Sequence, residues 1–158
     1  MDRRQFVSTA GIVAGTAIAS NVMASGKHDH HNHDKMVKKR KISKVEQALL
    51  DTTAHCATTG KICITHCLDN LAAGNTSMAE CQQAVLAMLP VVDALHSNVS
   101  YNKASKKNLK MLAETCLSFC EACLKTCEPH VKHHKECADC AQSCKDCISA
   151  IKKYMAAM

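Results

Sequence analysis

The sequence predicts an all-α fold, an antiparallel up-down-up-down four-helix bundle with a Cys-lined core, and three observations lead there. Only two prolines and five glycines interrupt 158 residues, and no β-branched alternating run suggests a strand. Four long segments carry helix start and stop signals and are joined by short links, the pattern of antiparallel neighbours. Twelve cysteines recur at spacings of three and four, while aromatic residues amount to two Phe and two Tyr, with no Trp. A core of this kind is filled by sulfur, Ala and Leu.

Residues 1–24 read as an export signal. Arg3-Arg4 is followed by Phe6, then by the apolar stretch Ala10 to Ala19, and Val22-Met23-Ala24 offers small residues for cleavage. The paired arginines resemble a twin-arginine signal, with a plain secretory signal as the alternative, so the expected location is periplasmic. The apolar stretch is too short to span a membrane. Residues 25–42 read as a disordered linker, with His28, His30, His31 and His33 before the basic run Lys38-Lys39-Arg40-Lys41. The histidines either scavenge metal or are simply solvated, and the basic run reads as a solvated leader. The net charge of +6 comes without aromatic stacking platforms or a nucleic-acid motif, so neither nucleic acid nor a membrane is expected as a partner.

Residues 43–158 form the bundle. Helix one begins at the capping box Ser43/Glu46 and runs to Ala73, stopping at Gly74-Asn75. Helix two starts from a second capping box, Ser77/Glu80, is kinked at Pro90 and ends near Ser97, leaving Asn98–Asn102 as a linker. Helix three is expected from Lys103 to Glu128, ended by Pro129, and helix four from Val131 to Ala156.

At about 100° per residue, these spacings put the cysteines on stripes. Helix three carries Cys116, Cys120, Cys123 and Cys127, and helix four carries Cys137, Cys140, Cys144 and Cys147. Helix one carries Cys56, Cys63 and Cys67 with Gly60 on the same line. Cys81 opens the line on helix two, followed by Val85, Met88, Val92 and Leu95. In an antiparallel hairpin, residues at one height have numbers of constant sum. That rule pairs Cys127 with Cys137, Cys123 with Cys140, Cys120 with Cys144 and Cys116 with Cys147. About the first turn it sets Cys67 opposite Cys81 and Cys63 near Met88. The sulfurs then occupy the half of the core nearest the two short turns. Val45, Leu49, Val92, Leu95, Leu109, Leu112, Ile148, Ile151 and Met155 close the other half.

A disulfide framework is the bland reading of many cysteines in an exported chain. Helical neighbours at i+3 or i+4 have Cβ atoms roughly 5–6 Å apart, against about 3.8 Å in a disulfide. Cross-helix bridges remain open but leave the spacing along each helix without a reason. A metal ion with two bonds of about 2.3 Å spans a sulfur–sulfur gap of roughly 4.5 Å, which these stripes supply. Charge then orders the metals. Zn²⁺ in Cys₄ sites leaves two excess negative charges per site in a dry interior, whereas Cu(I) approaches neutrality near one ion per thiolate and suits soft sulfur ligands, thioethers such as Met88 included. Cu(I) leads, zinc follows, and an iron–sulfur cluster, which needs four thiolates converging on one compact unit, is third.

The overlapping pairs Cys63-x-x-x-Cys67, Cys116-x-x-x-Cys120, Cys120-x-x-Cys123, Cys123-x-x-x-Cys127, Cys137-x-x-Cys140, Cys140-x-x-x-Cys144 and Cys144-x-x-Cys147 resemble those of the bacterial copper storage proteins over residues 43–156. The export signal is similar to that of the exported branch. The resemblance implies storage of many Cu(I) ions by the twelve cysteines, a homotetramer and a copper enzyme as client. It also implies Met and His where copper passes in, for which His66, Met78, Met88, His130, His133 and His134 are the candidates; His55 and His96 fall off the sulfur face. Enzyme readings fare badly. A di-iron bundle needs Glu-x-x-His, and no bundle glutamate has His three residues on; a thiol oxidoreductase needs one exposed, activated pair.

Overall fold

The structure is a computed structural model that describes residues 40–158. The export signal (1–24) and all but the last three residues of the linker (25–42) lie outside the described residues. Four helices follow in order: α1, Lys44–Ala72; α2, Ala79–Tyr101; α3, Lys106–Cys127; and α4, Lys135–Ala156. Each packs on two neighbours, α1 on α2 and α4, and α3 on α2 and α4. This is the expected up-down-up-down ring, with the α1–α2 and α3–α4 turns at one end. The α2–α3 link and both ends of the bundle segment lie at the other.

Local chemistry explains most boundaries and corrects several. At α1 the expected capping box forms: the Ser43 hydroxyl accepts from the Glu46 amide at 3.2 Å, and the Glu46 carboxylate accepts from the Ser43 amide at 2.9 Å. Gly74 ends the turn with φ +87°, a conformation that costs glycine little. The second capping box, Ser77/Glu80, does not form. Asn75 takes its place, accepting from the Ser77 amide and hydroxyl and opening a 3₁₀ turn, Thr76–Met78, ahead of α2.

Further along, α2 runs through Pro90 without interruption and absorbs most of the expected linker, ending where Asn102 adopts the left-handed conformation. Pro90 is on the exposed side, so water can serve the carbonyl its missing N–H leaves free. Ser105 caps α3, which starts at Lys106 rather than Lys103. Pro129 does end α3, within a 3₁₀ turn Glu128–His130, but α4 begins only at Lys135, because His134 is extended at its N-cap. The basic run is not wholly a solvated leader either. Arg40 donates to the Val99 and Ser100 carbonyls at the end of α2 and pairs with Glu46. It satisfies orphan acceptors at the negative end of that helix.

The end away from the turns is closed by Leu49, Val92, Leu95, Val99, Leu109, Ile151 and Tyr154, all buried, with Val45, Leu112, Ile148 and Met155 packed against them. The segment Thr76–Tyr101 is long and apolar enough to cross a membrane. Its apolar residues Val85, Met88, Val92, Leu95 and Val99 are spent on the bundle core instead. Leu49 is fully buried in this plug. Leu49→Ala should therefore destabilise the reduced, metal-free bundle by about 2–5 kcal/mol in urea unfolding, with copper capacity unchanged.

Candidate metal centre

All twelve cysteines are free thiols and all are fully buried. Their sulfurs form a column. Nearest the turns, Cys63, Cys67, Cys81 and Cys137 lie mutually within 4.8 Å; next come Cys63, Cys127 and Cys140, then Cys123, Cys140 and Cys144, and a further group joins Cys56, Cys120 and Cys147. Cys63 and Cys140 each belong to two groups, so the first three are linked. Cys56 continues the line beside Cys120 and Cys147, and Cys116 completes it, its proton affinity set by Cys120 and Cys147. Each rank draws on more than one helix.

The register expected between α3 and α4 appears in Cys123–Cys140, 3.9 Å apart, and the pairs Cys120–Cys144 and Cys116–Cys147 lie close enough to shift each other's protons. The pair nearest the turn differs. Cys127 faces Cys81 on α2 at 3.2 Å, and Cys137 accepts from Cys63 on α1 at 4.0 Å. At this height the α3–α4 hairpin is opened by the residues between Cys127 and Lys135, and each sulfur turns to its other neighbour helix. Cys67 does meet Cys81. The Met88 thioether is 3.7 Å from Cys56 Sγ, and Cys63 lies 3.9 Å from Cys81. The bare backbone of Gly60 leaves room for the Met88 methyl group.

In a dry column the protons are shared unevenly. Hydrogen bonds from Cys120 and Cys147 hold the Cys116 thiol down to about 5, and bonds from Cys120 and from Cys123 likewise lower Cys56 and Cys140. Two other thiols are raised, Cys120 by its bond to Cys116 and Cys144 by its bond to Cys120. At the turn end, burial beside the Cys81 sulfur pushes Cys67 up to about 11. Cys137 accepts from Cys63, which opposes the shift, but its own bond to Cys81 and burial carry it up to about 12. Without metal the column is largely a chain of S–H···S contacts, and any cation that enters must displace protons.

Histidines gather over the turn end. His66 Nε2 is 2.8 Å from His134 Nδ1, and His66 Nδ1 is 3.5 Å from a Glu136 carboxylate oxygen. The His130 ring lies edge-on to His134 at 6.2 Å between centroids. Partial burial, then the neighbouring His66, His130 and His133, lower the His134 pKa, which favours the neutral, metal-binding imidazole. His133 is exposed. Met78 is buried at the turn, and Met88 is an interior residue. His55 is exposed, and His96 bonds Thr53 in the closed half, 3.0 Å from its hydroxyl. Sequence reasoning missed one polar element at the column: Thr59 and Ser143 share a buried hydrogen bond of 2.6 Å across the α1–α4 seam, with Ser143 also bonded to the Cys140 carbonyl at 2.8 Å. Its only signal was a hydroxyl residue next to Gly60 on one helix and next to Cys144 on the other.

The copper storage protein family model matches residues 42–156. Among solved structures, the copper storage protein of Streptomyces lividans, loaded with 10 copper equivalents, is similar at 20% identity. The match covers 72% of this chain and 86% of that one, with a TM-score of 0.66. It supports the four-helix fold. No curated protein matches the chain. With the family match spanning the whole sulfur-lined bundle, the chain belongs to the copper storage protein family.

Proposed function

We propose that this bundle stores Cu(I), close to one ion per cysteine, as a column of thiolate-bridged ions along its axis. The observation that carries the reading is the continuity of the twelve buried sulfurs, grouped so that neighbouring ranks share ligands. A linear or trigonal Cu(I) site needs only two or three thiolates, and three of the four groups offer three. Twelve thiolates filled by monovalent ions leave the interior near neutral, which a dry core demands. The protein acts as a store and not as an enzyme. Copper passes in and out at the turn end, past His66, His130, His133 and His134, because the opposite end is packed shut. Residues 1–24 export the chain to the periplasm by the twin-arginine route. A homotetramer is the working assembly, and copper enzymes are the clients.

One observation favours a second reading at the mouth alone. Cys63, Cys67, Cys81 and Cys137 form the single four-membered group among the described residues, the number a tetrahedral Zn²⁺ site requires.

Anaerobic titration of the reduced protein with Cu(I) against a competing chelator tests the store. The expected result is tight uptake of roughly one ion per cysteine; saturation at one or two ions would contradict it. In a parallel zinc titration, one ion held against copper would assign the mouth group to zinc. Proton displacement gives a second check. Cys67 at about 11 and Cys137 at about 12 are protonated at neutral pH. Copper affinity at the mouth should thus rise about tenfold per pH unit for each proton displaced, weakening as pH falls. A pH-independent affinity between about pH 6 and 8 would show that these thiols are not ligands.

A further inference from the structure

Resting on the storage reading, the geometry points to Met88 as a copper ligand at the closed end of the column, completing a mixed thiolate–thioether site with Cys56. Met88 is seated against the sulfur ranks: its Sδ lies 3.7 Å from Cys56 Sγ. Both side chains are fully buried. Two metal–sulfur bonds of about 2.3 Å span that Cys56–Met88 gap, and Cys56 in turn lies within 4.8 Å of the Cys120 and Cys147 sulfurs.

The backbone of α1 is shaped for this arrangement. A Cβ at Gly60 would stand 3.4 Å from the Met88 methyl carbon and 3.0 Å from Leu89. With hydrogen there, α2 approaches closely, the Met88 methyl rests over Gly60, and the sulfur is turned toward Cys56. A residue serving only to fill space would need no sulfur, and leucine has nearly the same volume. The chemistry favours a thioether here because of charge. This rank is the farthest from solvent at the turns and already holds Cys56, Cys116, Cys120 and Cys147. Another cysteine would add a further thiolate, whereas methionine adds a soft donor of zero charge. On binding, Cu(I) bonds the Cys56 sulfur as a thiolate, any proton on it leaving to solvent, and the thioether contributes a lone pair. The thiolate and the monovalent ion together are neutral.

The test is Met88→Leu in the full chain, reduced and metal-free, followed by copper titration against a chelator and a thermal melt. The expected result is an unchanged fold and one copper equivalent fewer that resists the chelator, with that ion's affinity lowered about tenfold or more. Wild-type capacity and affinity in the variant would overturn the proposal while leaving storage intact. Failure of the wild-type chain to take up copper would instead overturn the storage reading. Should the variant not fold, methionine-methyl ¹³C NMR of the wild type decides. A Met88 resonance that shifts as the last equivalents bind supports coordination, and one unmoved at full loading refutes it.

Discussion

Everything in this bundle answers to the cost of placing sulfur in a dry interior. A thiol is a small apolar group and packs as well as alanine, but a thiolate carries a full charge that the interior does not solvate. Twelve sulfurs can share one core only if each is protonated or each negative charge is met by a positive one. The metal-free protein stays near the first course by sharing protons along S–H···S contacts, so that Cys116 is held low while Cys120 and Cys147 are raised. The proposed Cu(I) load would offer the second, replacing protons by another monovalent cation. Exchange of like charge for like charge lets the same fold be stable empty and full.

The rest of the sequence makes the two ends of the column unlike. Apolar side chains from all four helices plug one end, and Arg40 ties the approaching chain to the last carbonyls of α2 there. At the other end the turns bring His66, His130 and His134 together above Cys67, Cys81 and Cys137. Between them, polar groups that sit against the column are fully satisfied. The Thr59 hydroxyl reaches the His55 and Cys56 carbonyls as well as Ser143, and no buried side-chain nitrogen or oxygen among the described residues lacks a partner. Sulfur is thus the only chemistry left open in the core.

Much of this was legible in the residues themselves. The stripes follow from three-and-four spacing, and constant-sum pairing placed Cys123 opposite Cys140 before any coordinates, because two antiparallel helices leave no other freedom. It failed for Cys127 and Cys137, where a third and fourth helix compete for the same sulfurs and a two-helix rule has nothing to say. The Ser77/Glu80 signal lost to Asn75 because a 3₁₀ turn intervenes. Helix four starts late because the chain must still reverse direction after Pro129, and a capping residue cannot be recognised when His134 supplies only an extended backbone. Met88 was visible as a soft residue on the right stripe, but its contact with Cys56 depends on how closely α2 approaches Gly60, a packing distance that no periodicity encodes.

The most direct measurement is anomalous diffraction at the copper absorption edge from crystals of the copper-loaded, reduced protein. The account predicts a row of copper peaks along the bundle axis, each about 2.3 Å from core sulfurs, running from the Cys67/Cys137 rank to Cys56 with none in the apolar plug. Copper confined to surface histidines, with the core sulfurs unmetallated, would contradict it.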